Sequence, residues 1–465
     1  MSVHLALADL VAATGGRLAV PAGWVPPSSV TGVATDSRLV EPGDVFVALR
    51  GPRTDGHRFV AQAMERGAVL AVVSDAAAAA GPALVVPDTL RALGAIAGAH
   101  RRGLPVTVVG VTGSVGKTTT VALCARVLES RYRTARSAES WNAELGVALT
   151  LLGLRQIHEV AVVEMAMRGE GQIRELVAIA RPRLGIVTNI GDVHLERLGS
   201  RDRIAEAKGE LVEGLPADGA AIVNADDPYA PRLLARARCR TIRFGTGPDA
   251  DVQASDVAGD AEGSTFTLRV GGAAVPVRLP LVGTHQVHNA LAAAAAGWAL
   301  GLDADTIAAG LGRAQPVKMR QTVVTAGDLL VLDDTYNAGP QSMTAAFEVF
   351  ERVAGTRRRV LALGEMLELG PASPAFHREA GRQAAALQPA YLLAVGPNAR
   401  WYLDGAAAGG LAAGAMAWVP TAPEAAAVLR SVLRAGDAVL VKGSRGIEME
   451  HLVEALSAQA PAGNR

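Results

Sequence analysis

The stretch Gly110-Val111-Thr112-Gly113-Ser114-Val115-Gly116-Lys117-Thr118-Thr119-Thr120 constrains this chain more than any other. An apolar run, Val106–Val111, leads into it, and a helical pattern, Lys117–Ser130, leads out. Strand, glycine-bearing turn and helix in that order bring backbone N–H groups together at a helix N-terminus, where partial positive charge collects. Gly113 and Gly116 let the backbone curl around phosphate oxygens, with Ser114 between them. Lys117 supplies a full charge for β- and γ-phosphates, and the Thr118 hydroxyl can reach a bound Mg2+, with Thr119 next in the loop. The eight-residue form of this loop has Gly where Val111 stands, so the chain carries a shortened variant, Gly-x-x-Gly-Lys-Thr-Thr. The reading is a nucleoside triphosphate site on a parallel α/β sheet.

Apolar strand patterns alternate with helical ones along most of the 465 residues, which argues an α/β fold. At ~150 residues per domain the length suggests three units. Residues 1–104 read as a mixed α/β N-terminal domain with short strands at Asp44–Ala48, Val69–Val73 and Ala83–Val86. Met1–Gly16 reads as an amphipathic helix, not a signal peptide, because Asp9 interrupts its apolar stretch. Residues 105–314 read as a central P-loop ATPase-like domain with a parallel sheet, including strands at Glu159–Glu164, Leu184–Ile190 and Gly219–Asn224. Asp251–Pro280 alternates apolar and polar residues like appended antiparallel hairpins. Residues 315–465 repeat strand and helix in a Rossmann-like C-terminal domain, with strands at Leu329–Asp334, Arg359–Gly364, Tyr391–Gly396, Met416–Pro420 and Asp437–Gly443.

Around the loop, Glu164 ends the apolar run Val160–Val163, which puts a carboxylate at the crevice where such sheets bind ligands. A hard oxygen there suits Mg2+. His194 follows the Leu184–Ile190 strand on the same rim, though spacing alone leaves it an ordinary histidine. By composition Lys208, in Ala205-Glu206-Ala207-Lys208-Gly209-Glu210, reads as a solvated lysine.

Taken together, these motifs resemble those of the ATP-dependent Mur ligases of bacterial cell-wall synthesis. Thr35-Asp36-Ser37-Arg38, Pro42-Gly43-Asp44-Val45-Phe46 and Asp55-Gly56-His57 are similar to segments that hold a UDP-sugar. Asn142-Ala143-Glu144-Leu145-Gly146 resembles an Asn-Asn-Glu-x-Gly stretch, with Ala143 replacing the second Asn. Glu164 and His194 match magnesium ligands of the family, and Lys208 matches a lysine that some members carbamylate. Gly283-Thr284-His285-Gln286-Val287-His288-Asn289 is similar to a segment whose last Asn contacts adenine. Arg320 and Asp334 match residues that reach the nucleotide from the C-terminal domain. Tyr336-Asn337-Ala338-Gly339-Pro340, Gly364–Gly370 with His377, and Lys442-Gly443-Ser444-Arg445 resemble the branch that adds a D-alanyl-D-alanine dipeptide.

The resemblance implies ATP and Mg2+ as co-substrate and cofactor, and UDP-N-acetylmuramoyl-tripeptide and D-alanyl-D-alanine as partners. ATP would phosphorylate the tripeptide carboxylate, and the dipeptide amine would then attack the acyl phosphate. Lys117, His194 and Lys208 are the implied catalytic residues. Ser37, Arg38, Asn142 and Asn337 are implied for substrate, and Thr118, Glu164 and His194 for metal. Two alternatives stay open: a Mur-type ligase adding a diamino acid, and a P-loop ATPase without ligase activity.

Equal counts of 45 basic and 45 acidic residues argue against a nucleic-acid partner. Two cysteines, Cys124 and Cys239, exclude a disulfide scaffold and a cysteine-ligated zinc site. The longest apolar run, Ala290–Leu302, is too short to span a bilayer. A cytoplasmic monomer without membrane contact is the expectation.

Overall fold

A computed structural model describes residues 2–458, which fold around three sheets. Strand Thr107–Thr112 lies inside the nine-stranded second sheet, two strands from one edge. It is parallel to Val160–Glu164 on one side and to Leu184–Val187 on the other. The chain runs from Thr107–Thr112 to the edge strand Thr134–Arg136, pairs Val160–Glu164 inside it, and then crosses to the opposite side. That reversal opens a crevice at the C-terminal strand ends, where α/β sheets bind ligands. In the register Val111 faces Glu164 and Thr112 faces Val187, so the phosphate loop leaves the sheet between a carboxylate and the segment carrying His194.

These strands form because runs such as Val160–Val163 are apolar on both faces, and the sheet is covered on both faces. One cover is the helix Thr284–Ala299, in which Ala290 to Ala296 are all fully buried. It packs with Val121, Cys124 and Val127 of the helix Lys117–Leu128. Alanine faces let two backbones approach closely, so the run reads as packing and not as a low-complexity defect. That approach brings Asn289 beside the phosphate loop: a Cβ on Gly116 would lie 2.3 Å from Asn289 Oδ1. The appended hairpins are the antiparallel strands Val252–Gly259, Ser264–Val270 and Ala273–Leu279, joined to the sheet through Arg240–Gly245.

The first sheet has four central parallel strands, Ser29–Ala34, Asp44–Val47, Leu70–Val73 and Ala83–Val85, with antiparallel edges. One edge corrects the reading of residues 1–16. Only Leu7–Thr14 is helical; Ser2–Ala6 is a strand on Ser29–Ala34. Val3 and Leu5 are both buried, and two-residue spacing is the period of a strand. Met1 lies outside the described residues.

The third sheet is parallel through Leu329–Asp334, Ala438–Lys442, Arg359–Gly364, Tyr391–Val395 and Met416–Val419. Thr322–Ala326 adds an antiparallel edge. Two of its helices, Ser373–Ala386 and Trp401–Ala408, touch backbone to backbone. A Cβ on Gly405 would lie 1.9 Å from the carbonyl oxygen of Arg378, which cannot step aside as a side chain could. Gly405→Ala is therefore expected to destabilise this part of the chain by ~1–3 kcal/mol. Gly414→Ala, where a Cβ meets nothing within 4 Å, should be near neutral. Urea unfolding of both variants checks the pair.

Candidate active site

The loop after Thr107–Thr112 needs its two glycines for different contacts. Gly113 has φ +149°, and a Cβ there would lie 1.9 Å from Thr188 Oγ1. Gly116 has φ +83° and presses against Asn289. Gly116 is also the N-cap of the helix Lys117–Leu128, with no side chain bonding the first-turn N–H groups. Those donors are left for a ligand. Ser114 ties the loop to the next strand's end through reciprocal bonds with Gly191, 2.8 and 3.2 Å. Thr119 is buried on the first turn.

Lys117 Nζ folds onto its own loop, donating to the carbonyls of Gly113 (2.9 Å) and Ser114 (3.2 Å). Thr118 Oγ1 donates to Glu164 Oε2 at 2.8 Å, and Asn142 Nδ2 donates to Glu164 Oε1 at 2.9 Å. Glu164 is only 2% exposed. Arg320 reaches across from the third unit, its Nη2 donating to Thr118 Oγ1 at 2.8 Å. The Arg320 guanidinium stacks on the Tyr336 ring, 3.9 Å from its centroid, and Tyr336 OH bonds Ser140 beside Asn142.

Lys208 is not a solvated lysine. It is 2% exposed, with Nζ donating to Gly113 O at 3.0 Å. The signal was available: Ile204 and Leu211 flank it at helical spacing, so position 208 lies on the buried face. Burial, helped by the Lys117 charge, pushes its pKa well below the usual lysine range. Burial also lowers Lys117, with Glu164 opposing and Arg320 reinforcing the shift. Lys117 and Arg320 thus stand near the buried Glu164 carboxylate, with Lys208 beside Lys117, a concentration of positive charge suited to a polyanion.

His194 is held apart from the Thr118–Glu164 pair. It has φ +63°, and its Nδ1 meets Glu368 Oε2 of the third unit at 2.6 Å. Burial lowers its pKa most; Glu368 opposes, while Lys208 and Lys117 add to the drop. Glu368 was not singled out among the sequence motifs as a partner of this histidine.

Asp334 is ion-paired at 2.6 Å with Lys442, a side chain 1% exposed that also donates to Asn337 O at 3.0 Å. Asn337 is exposed, and its side chain accepts from Ala338 N. Ser444 Oγ donates to Ala338 O and accepts from Leu367 N, and His377 Nε2 accepts from Met366 N. The Gly364–Gly370 and Lys442–Arg445 motifs therefore form the wall that holds residues 334–338. Ser37 and Arg38 stay in the first unit: Ser37 donates to Gln62 at 2.8 Å, and Arg38 pairs with Asp36.

Hard oxygen donors from Thr118 and Glu164 suit a Mg2+ ion that completes its shell with phosphate and water. Among the described residues no three His, Cys, Asp or Glu converge as a protein-only metal centre. Lys208 in its ammonium form has no lone pair to offer a metal ion.

Three family models match the chain in order: the Mur ligase family catalytic domain at residues 29–107, the Mur ligase middle domain at 111–297 and the Mur ligase glutamate ligase domain at 319–445. A UDP-N-acetylmuramoyl-tripeptide–D-alanyl-D-alanine ligase from Bacillus subtilis is 38% identical over 440 residues, 92% of this chain and 93% of its own. The chain belongs to the Mur ligase family. The Escherichia coli ligase of the same name is 37% identical, over 91% of this chain and 93% of its own. A crystal structure of MurF from Acinetobacter baumannii superposes with a TM-score of 0.89 at 33% identity, covering 98% of this chain and all of that one. MurF from Thermotoga maritima in complex with ADP gives 0.82 at 27% identity, covering 92% and 97%. The Mur ligase fold thus accounts for all three sheets and their order.

Buried Lys208 yields a stability test. Its lowered pKa means the unfolded chain binds more protons than the folded one below pH ~10.4, so this group costs more stability as pH falls. Lys208→Met removes that cost, and Gly113 O keeps its bond from Lys117. Lys208→Met should equal or exceed the parent in stability at pH 7, with the advantage shrinking as pH rises toward 10. Thermal melts across that range check the sign.

Proposed function

We propose that this Mur ligase joins D-alanyl-D-alanine to UDP-N-acetylmuramoyl-tripeptide, converting ATP to ADP and phosphate and forming the pentapeptide precursor of peptidoglycan. The observation that carries the reading is Arg320 on Thr118, with Glu164 behind it. A cationic arm of the third unit closes on a phosphate loop of the second. The curated relatives named above, similar over nine-tenths of the chain, carry that substrate pair in their names.

A carboxylate is a poor acyl donor because its leaving group would be oxide. Phosphoryl transfer to it makes an acyl phosphate, which the dipeptide amine attacks with loss of phosphate. The first step brings an anion against a polyanion, so its barrier falls when cations surround both. Lys117 is suited to the β- and γ-phosphates, with Gly113, Gly116 and Thr119 lending backbone N–H groups, while Ser114, whose N–H is given to Asn189 O at 3.0 Å, braces the loop. Thr118 and Glu164 would hold Mg2+, which would neutralise phosphate charge. Asn289 faces the base side, and Arg320 and Asp334 reach the nucleotide from the third unit. His194 and Lys208 sit on the carboxylate side of the loop. Addition of CO2 to the neutral Lys208 amine, with loss of a proton to solvent, would exchange a buried cation for an oxygen donor, and its lowered pKa favours the neutral amine this needs.

Residues 1–104 would hold the UDP-sugar through Ser37 and Arg38, 105–314 the ATP, and 315–465 the dipeptide through Asn337, with Asn142 at the acceptor carboxylate. The protein acts as a monomer in the cytoplasm, where ATP is supplied. Among the described residues no helix is long and apolar enough to cross a membrane.

The test is phosphate release from ATP with each co-substrate alone and with both. Release should need the UDP-tripeptide and rise further with D-alanyl-D-alanine. Lys117→Ala should lower turnover by at least ~100-fold while the far-UV spectrum stays unchanged. Release that ignores both co-substrates would favour a plain ATPase, and faster release with a diamino acid than with the dipeptide would favour the other ligase branch.

A further inference from the structure

Arg320 sits between two residues in the left-handed region, Met319 at φ +61° and Gln321 at φ +54°. Neither is a glycine, so this backbone shape needs outside support. Met319 O accepts from Tyr336 N at 3.1 Å. The Gln321 side chain is gripped from the second unit: its Oε1 accepts from His285 Nε2 at 2.8 Å and from Gln286 Nε2 at 3.3 Å. The His285 proton therefore lies on Nε2, and Nδ1, sealed from solvent, has no partner. Burial keeps this ring neutral.

The grip continues inward. Gln286 Oε1 accepts from Asn289 Nδ2 at 3.1 Å, and Asn289 Oδ1 accepts from Thr120 Oγ1 at 3.3 Å. Arg320 meanwhile reaches Thr118. The contacts form a ring that leaves the phosphate-loop helix at Thr120, passes through Asn289, Gln286 and Gln321, and returns through Arg320 to Thr118. Two amides with no direct place in the chemistry complete it.

We propose that Gln286 and Gln321 are positioning residues: their amide contact couples the base-side Asn289 to the constrained segment 319–321 and so sets Arg320 on the phosphate loop. This rests on the ATP-dependent ligase reading. A nucleotide that engages Asn289 acts through this pair on the arm that meets its phosphates. The coupling is carried by fixed hydrogen bonds between two units, and it links where the nucleotide binds to how well the cleft closes.

The test uses the full chain with ATP, UDP-N-acetylmuramoyl-tripeptide and D-alanyl-D-alanine. Gln286→Met and Gln321→Met should each lower kcat ~10-fold with the KM for ATP changed less than ~3-fold, because Arg320 is misplaced while the nucleotide still binds. The double variant should fall no further than the worse single one, since both break one coupling. Gln321→Glu, which keeps an acceptor facing His285 and Gln286, should recover most of the rate, whereas a purely structural loss would not be rescued. Unchanged kcat in the single variants, losses that multiply in the double variant, or no recovery with glutamate would overturn the proposal. An unmodified chain that released no phosphate with both co-substrates would instead overturn the ligase reading.

Discussion

The Glu164 carboxylate is buried against the phosphate loop, and the arrangement of the site follows from what surrounds it. Its two oxygens are taken by Thr118 and Asn142, so it is fixed in orientation before any ligand arrives. Lys117 and Arg320 stand near it, and Lys208 lies beside Lys117 on the same loop carbonyl. Burial disfavours the charged form of both lysines and lowers their pKa. Such a concentration of buried cations suits a polyanionic ligand. Each sheet contributes to this only through what it brings to the loop.

The sequence made the central sheet legible because its strands are short apolar runs that end in chemistry. Val160–Val163 leads to Glu164, and Val106–Val111 leads to Gly113. The strand Ser2–Ala6 was hidden because a helix follows it directly, and the combined stretch mimics one longer helical pattern. Three-residue edge strands such as Arg17–Ala19 and Thr134–Arg136 leave too short a pattern to read. In the site, the phosphate loop was a local signal, while partners far apart in sequence were not. Arg320 is expected at the nucleotide by resemblance, but its bond to Thr118 depends on how two units meet. The same holds for Glu368 on His194, brought together across 174 residues of chain.

The interface between the second and third units carries several specific polar contacts beside the packing of Val282 on the third-unit core. Arg320 on Thr118, Glu368 on His194, Tyr336 on Ser140 and Gln321 on His285 are separate contacts spread around one cleft. Individually such bonds are modest, ~0.5–1.5 kcal/mol net. An interface of this kind can open and close on the timescale of turnover, whereas a large apolar one would stay shut.

The pairing of Asp334 with Lys442 also bears on how the molecule is made. On the ribosome the phosphate loop emerges first and its supporting sheet can form early, because domains tend to fold as units from the N-terminus. Asp334 follows, but its counter-charge lies 108 residues further on. Until that lysine emerges, the segment 334–338 has a carboxylate with no buried partner and no anchor for the Asn337 carbonyl. The nascent protein can thus have its phosphate loop folded while its acceptor side still waits for Lys442.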